Sequence, residues 1–342
     1  MSQQLDFAAP LPGIGVFGGI RRFLEIGNEI VRRGHRYTVY HTDGTPPDWM
    51  SFLGDVRPLD DLSRAQHQIM LCNDPALFHR LESKPAELKL FYFVLEGIRE
   101  ERAIARHPGW TILANSSGMA NRLWRRYRVR AEPVVGGIDV ELFRPRETSG
   151  NGEYRVLTFG RTSRPKKGVP IVLRAVDALA RRAAKSGGPA ARPVKLVLFD
   201  HIGHGNERDP RGDIRCDVPH EFHLNLPQED LAALYSSCDV FVSAEKRAGW
   251  ANTVAEAMAC GVPVVCTRSG TRDLARHRET AWVARRNRWS LSRGLWSIYR
   301  DNVLADQFRR ASFENIRSFT WERVSDRLLE VVATKLGRTP IP

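Results

Sequence analysis

At 342 residues the chain is long enough for two domains of ordinary size, each with its own core. Its 42% hydrophobic and 27% charged content excludes a disordered or fibrous polymer, and no apolar run reaches the ~18 residues that a membrane-spanning helix needs. A formal net charge of +13, carried mainly by arginine in both halves, reflects either genome composition or an anionic partner. A phosphorylated small molecule or an anionic membrane surface fits better than nucleic acid, because no helix-turn-helix, zinc-finger or aromatic RNA-binding pattern is present.

The first residues, MSQQLDFAAPLPG, lack the basic start and apolar stretch of a signal peptide, so a cytoplasmic protein is expected. The five cysteines are scattered and never spaced C-x-x-C, which suggests neither a disulfide framework nor a zinc site. Buried strands are predicted at LDFAAP, YTVYH, HQIMLC, LKLFYFVLE and WTILAN, separated by helical stretches such as IRRFLEIGNEIVRR and SGMANRLWRRYR. A glycine- and proline-bearing stretch, GGIDVELFRPRETSGNGEYRV, then reads as a linker with a boundary near 143–153. Beyond it, YRVLTFG, VKLVLFD, EFHLNL, DVFVSA, VPVVCT and AWVA repeat the pattern, with helices predicted near 168–184, 228–237, 252–260 and 290–335. SGGPAARP at 186–193 and HGNERDPRGD at 204–213 read as surface loops. Strands alternating with helices twice over predict two parallel-sheet α/β units.

Three motifs carry chemistry. GIGVFGG, from Gly13 to Gly19, follows the first strand and opens the first helix. It satisfies G-x-G-x-x-G, the loop of an NAD(P)-dependent oxidoreductase, but Asp43 is an imperfect match for the acidic residue that such a site places after the second strand. A tight strand-to-helix turn explains the glycines equally well. FGRTSRPKKG places Arg161 and Lys167 after the first strand of the second unit, where open α/β sheets bind ligands and two cations would meet a phosphorylated group. In RAGWANTVAEAMACGVPVV, Asn252 is a candidate helix cap and Gly261 a stop. Glu256 then sits one turn into an apolar helix, satisfied by neighbouring backbone, by an arginine, or by a ribose diol. Backbone amides from Gly249 through Trp250, Ala251 and Asn252 to Thr253 would face a phosphate.

Together these segments resemble family 4 glycosyltransferases of the GT-B fold over nearly the whole chain. The likeness lies in GGIRRFLEIGNEIVRRGHRYTVY, TILANSSGMANRLWRRY with PVVGGIDVELFRP, VLTFGRTSRPKKGVPIVLRAV, LPQEDLAALYSSCDVFVSAE, EAMACGVPVVCTRSGTRDL and FTWERVSDRLLEVV, in that order. The resemblance implies two Rossmann-like domains facing across a cleft: an acceptor domain at 1–145, a nucleotide-sugar domain at 153–318, and a C-terminal helix at 319–342 returning to the first. It implies retaining transfer without metal or other cofactor, from a nucleotide-diphosphate sugar as co-substrate to a saccharide, lipid-linked or natural-product acceptor. Arg161 and Lys167 match the family's phosphate-binding pair, Glu256 its ribose-binding carboxylate, and Gly18 and Gly19 its donor-facing glycine loop.

Two positions depart from the family. The first carboxylate of its E-x7-E motif, which contacts the donor sugar, falls on Ala248, whose methyl group accepts no hydrogen bond; Glu245, three residues earlier, is the candidate replacement. A histidine frequent after the fourth strand is replaced by Leu95 and Glu96, and Glu96 becomes a candidate beside the reacting sugar or a simple helix-start carboxylate. Loss of the carboxylate at Ala248 also admits a sugar-nucleotide-binding protein without transfer activity. The helix SGMANRLWRRYRVR interleaves arginines with Trp124 and Tyr127, which fits either a solvated face or a peripheral contact with the anionic inner membrane surface.

Overall fold

The computed structural model describes residues 4–16, 18–148, 152–187, 192–202 and 208–338. The chain divides into two compact units, one running to Gly137 and resuming at Phe319, the other spanning Ile138–Ser318.

Unit 1 is built from β1 (Asp6–Pro10), α1 (Gly18–Arg32), β2 (Arg36–His41), β3 (Asp55–Pro58), β4 (Ile69–Cys72), α2 (Pro75–Glu82), β5 (Leu88–Phe93), α3 (Glu101–Ala105), β6 (Thr111–Ala114), α4 (Ser117–Tyr127) and β7 (Glu132–Pro133). Its sheet is wholly parallel, in the order β3-β2-β1-β4-β5-β6-β7. Parallel strands are covered on both faces, so successive residues feed two cores. Phe7, Ile69, Leu71, Leu90 and Tyr92 point to one, and Ala8, Met70, Phe91 and Phe93 to the other.

Unit 2 contains β8 (Tyr154–Phe159), α5 (Val169–Ser186), β9 (Val194–Asp200), β10 (His220–Leu224), α6 (Gln228–Ser236), β11 (Val240–Ser243), α7 (Asn252–Ala259), β12 (Val264–Cys266), β13 (Trp282–Val283), α8 (Arg288–Arg300) and α9 (Asn302–Ile316). The sheet order is β10-β9-β8-β11-β12-β13, again all parallel. In both sheets the order reverses beside the first strand, between β1 and β4 and between β8 and β11. That reversal opens a crevice at the carboxyl ends of the strands, the place where doubly wound sheets bind ligands.

The last helix, α10 (Trp321–Lys335), belongs to unit 1. Trp321, Val324, Leu328, Leu329 and Val332 recur at helical spacing and enter the core that α1 also lines. Arg33 donates to Asp326 at 2.6 Å and to the Glu322 carbonyl at 3.2 Å. The buried Arg22 guanidinium donates to the Tyr92 hydroxyl at 2.8 Å and lies 5.6 Å from the Trp321 ring centroid, joining α1, β5 and α10.

Three expectations are corrected. The division falls at Gly137/Ile138 rather than near 145, because the next residues pack into unit 2: Phe143 is 1% exposed, its ring lies 6.3 Å from that of Tyr235, and the Arg146 amide donates to Ser236 Oγ at 3.1 Å. The helical stretch expected near 290–335, beside the separate C-terminal helix expected at 319–342, is three helices, since Asp301 and Thr320 each turn the chain and cap the helix that follows with their side chains. Asn252 does not cap α7; it is the first helical residue, and the capping position falls on Ala251, which has no side chain able to cap. The expected loops at 186–193 and 204–213 lie partly outside the described residues.

Candidate active site

The site is built on the crevice beside β8 and β11. After β8 the chain passes through Gly160, where a Cβ would lie 2.5 Å from the Phe222 ring, into the loop that carries both cations. Arg161 is only 8% exposed. Its Nε donates to Asp200 Oδ1 and Oδ2 at 3.0 and 3.2 Å, and its Nη2 donates to the His201 carbonyl. Asp200 closes β9, the neighbouring strand, and also accepts the His201 amide at 2.7 Å. A buried carboxylate thus fixes the guanidinium plane.

Lys167 reaches the same spot from the other end of the loop. Its ammonium meets Glu245 Oε1 at 2.6 Å. The Lys167 Nζ and the Arg161 guanidinium carbon lie 5.2 and 5.5 Å from the Phe159 ring centroid, so both cations share one aromatic floor. Gly168 ends the loop at φ 74°, and a Cβ there would meet the Ala244 carbonyl oxygen at 2.6 Å. Arg286 clamps the two segments together, donating to the carbonyls of Ala244 at 2.7 Å and Pro165 at 2.9 Å. The Lys246 amide donates to the Lys166 carbonyl at 2.9 Å. Burial, with the charges of Lys167 and Arg164, holds the Lys166 ammonium below the ordinary lysine range.

The segment after β11 carries the carboxylates. Glu245 is 8% exposed, and its carbonyl accepts the Thr267 hydroxyl. Arg247 follows in the left-handed region at φ 63°, and the chain then packs tightly. The Ala248 amide donates to Ser269 Oγ, and the Ala251 amide to the Gly270 carbonyl, both at 2.9 Å. A Cβ on Gly270 would lie 2.8 Å from that of Ala248. The Ala251 amide is therefore engaged within the protein and does not join the row of amides expected to meet a phosphate. Gly249 and Trp250 are buried, whereas Asn252, Thr253 and Glu256 are partly exposed. Glu256 accepts the Tyr235 hydroxyl at Oε2, 2.8 Å away, from α6.

The remaining candidates lie in unit 1. Gly18 and Gly19 open α1, and a Cβ on Gly19 would meet nothing nearer than Asn73 Nδ2 at 3.9 Å, so close packing does not require this glycine. Asp43 is exposed, beyond the end of β2. Glu96 lies 3.6 Å from Arg122 Nε, and the same guanidinium grips the buried Glu101. Glu96 is thus held on the loop after β5 by α4. Asp200, Tyr235, Arg286 and Ser269 shape the site and were not singled out in the sequence. Only Asp200 leaves a trace there, as the acidic residue that ends the apolar run LVLF.

Residues 153–301 match the family model for glycosyl transferases group 1. A D-inositol 3-phosphate glycosyltransferase of Saccharomonospora viridis is 27% identical over 68% of this chain and 57% of its own length. The chain spans about half the length of the curated relatives it matches. Among solved structures, sucrose-phosphate synthase from Thermosynechococcus elongatus superposes with a TM-score of 0.77 at 16% identity, covering 98% of this chain and all, 100%, of that one. Anabaena Alr3699/HepE in complex with UDP and glucose gives 0.72 at 16% identity, over 97% and 100%. In fold, the two parallel Rossmann-like sheets match those of these GT-B structural neighbours. No helix among the described residues is long and apolar enough to cross a membrane.

Proposed function

We propose that this protein is a retaining, metal-independent glycosyltransferase that moves a sugar from a nucleotide-diphosphate donor to a saccharide, lipid-linked or natural-product acceptor. One observation carries the reading: two cations, Arg161 and Lys167, are held over one ring at the carboxyl end of β8, where the sheet order reverses. Transfer breaks the bond between the anomeric carbon and the diphosphate oxygen, and the electron pair stays with the diphosphate. The acceptor hydroxyl oxygen forms the new bond, and its proton passes to the departing diphosphate oxygen. Fixed cations stabilise the negative charge that grows on the leaving oxygens without reorganising, and they supply what a metal ion would otherwise supply.

In this reading Arg161 and Lys167 bind the diphosphate, with the backbone amides of Asn252 and Thr253 at the start of α7 beside them. Glu256 takes the ribose hydroxyls, its second partner being the Tyr235 hydroxyl. Glu245 stands in for the carboxylate missing at Ala248: its side chain reaches Lys167, while the Ala248 backbone is packed against Ser269 and Gly270. The names of the relatives, which include an inositol-phosphate glycosyltransferase and a UDP-bound neighbour, support a nucleoside-diphosphate donor.

The test is release of UDP, GDP, ADP or dTDP from a panel of donor sugars offered with candidate acceptors. Release that disappears in both Lys167→Ala and Glu256→Ala is the expected result. Tight donor binding with no release across the panel would replace this reading with that of a sugar-nucleotide-binding protein, which Ala248 favours. Affinity for NAD and none for nucleoside diphosphates would replace it with an oxidoreductase.

A further inference from the structure

Arg286 bonds both segments of the site and belongs to neither. It lies on the short link between β13 and α8, and that link is fixed at either end. The Ala284 amide donates to the Cys266 carbonyl of β12 at 2.7 Å. Asn287 caps α8 by accepting the Ser290 amide at 2.9 Å, and the Arg285 amide donates to Ser290 Oγ at 2.9 Å.

The partners of the Arg286 guanidinium are neutral. Its Nε donates to the Ala244 carbonyl and its Nη2 to the Pro165 carbonyl, and among the described residues no carboxylate pairs with it. A guanidinium presents its N–H groups in one rigid plane, so two carbonyls bonded to different nitrogens of it are held at a fixed separation. Gly168 is closed up against this clasp: a Cβ there would meet the Ala244 carbonyl oxygen at 2.6 Å and Arg286 Nη2 at 3.0 Å.

Lys167 and Glu245 sit inside that frame. The segments after β8 and β11 are linked by the Arg286 clasp, by the Lys246 amide on the Lys166 carbonyl, and by the Lys167–Glu245 ion pair. The clasp and the amide bond engage backbone carbonyls, whereas the ion pair is made by the two side chains proposed to bind the donor. In that reading Glu245 leaves Lys167 when the donor arrives, and the ion pair then no longer holds the loop. We infer that Arg286 is a positioning residue, which keeps Lys167 in register with the segment after β11 while Glu245 changes partner from the ammonium to the donor sugar. The inference rests on the proposed donor site. Lysine does not replace arginine here, because an ammonium on a flexible stem has no plane with which to fix two carbonyls. Without the clasp the ion pair carries the register, and releasing Glu245 costs Lys167 its place.

The experiment crosses Arg286→Lys with Glu245→Gln and reads calorimetric binding of UDP, GDP, ADP and dTDP. In the parent, Glu245→Gln removes a competitor and should tighten the bare diphosphate about fivefold. In Arg286→Lys the same substitution should weaken it about threefold, a coupling with a change of sign. Arg285→Lys, one residue earlier and exposed, should behave as the parent does. Ethylguanidinium added to Arg286→Ala should restore the parent's sign. Amide exchange at Lys246 needs no ligand: Arg286→Lys should accelerate it about tenfold while exchange at Leu157 of β8 and Phe241 of β11 stays unchanged, which a general loss of stability would not do. Turnover of the intact donor should fall about tenfold in kcat with little change in KM, since both cations remain and only their placement is lost. The same sign of the Glu245→Gln effect on both backgrounds, or unchanged exchange at Lys246, would overturn the inference. Faster exchange at Lys246 in a chain whose parent binds no nucleoside diphosphate would remove the proposed donor site, and the role of Arg286 with it.

Discussion

Both cations of the site are already neutralised, but by carboxylates in different situations. Asp200 is 3% exposed and holds Arg161 through two hydrogen bonds, a pair that no ligand is placed to compete for. Glu245 holds Lys167 through one oxygen at 2.6 Å, and in the proposed reading the same side chain serves the sugar. In that reading a bare nucleoside diphosphate competes with Glu245 for Lys167. Glu245→Gln keeps the shape and removes the competitor, so binding of the bare diphosphate should tighten about fivefold, equivalent to ~1 kcal/mol for a partly exposed pair. Transfer from the intact donor should slow in the same variant, because the sugar loses its carboxylate. Calorimetry for the first and steady-state turnover for the second separate the two effects; weaker diphosphate binding would mean that Lys167 needs Glu245 to hold it in place. The two cations were legible as a pair because they share a loop after a strand. Asp200 and Tyr235 were not, since they act on residues 39 and 21 positions away and only the folded sheet brings them near.

At the scale of the element, strands were legible where burial is two-sided. β8, β9 and β11 are mostly apolar because parallel strands present both faces to helices. The edge strands β3, of sequence DVRP, and β7, of sequence EP, carry no such signal and escaped notice. The break between α8 and α9 was written in Asp301, but the apolar periodicity on either side hid it. The junction of α1 and β2 carries a pH dependence. His35 is 5% exposed and its Nδ1 accepts the Leu5 amide at 3.3 Å. Burial, with the charge of Arg33, holds its imidazole below the ordinary value of 6.5. The folded state therefore favours neutral His35. Its contribution is full above the unfolded value and is lost as pH falls through 6.5 toward the folded one. Amide exchange at Leu5 and Arg36 should accelerate, beyond the intrinsic chemistry, as pH drops from 8 to 5. His35→Gln should flatten that dependence, and a profile unchanged by the substitution would place the sensitivity elsewhere.

At the scale of the whole chain, the two units have separate cores, and one of them is discontinuous in sequence. α10 supplies Trp321, Val324, Leu328, Leu329 and Val332 to the core of unit 1. Fully burying side chains of this kind contributes roughly 1.5–3 kcal/mol each, which summed over five approaches the entire stability of a domain. A chain ended at Ser318 should keep the cooperative unfolding of unit 2 and lose that of unit 1. Differential scanning calorimetry of the two lengths reads this directly; two intact transitions in the shorter chain would show that α10 is dispensable.

The same discontinuity orders events on the ribosome. The sheet of unit 1 leaves the exit tunnel first, yet the face that α10 covers stays open while all of Ile138–Ser318 is translated. At roughly 5–20 residues per second that interval is on the order of ten to forty seconds. Unit 2 can finish folding within it, and the half made first is completed last. In the meantime the nascent chain exposes an apolar sheet face of the kind that chaperones bind.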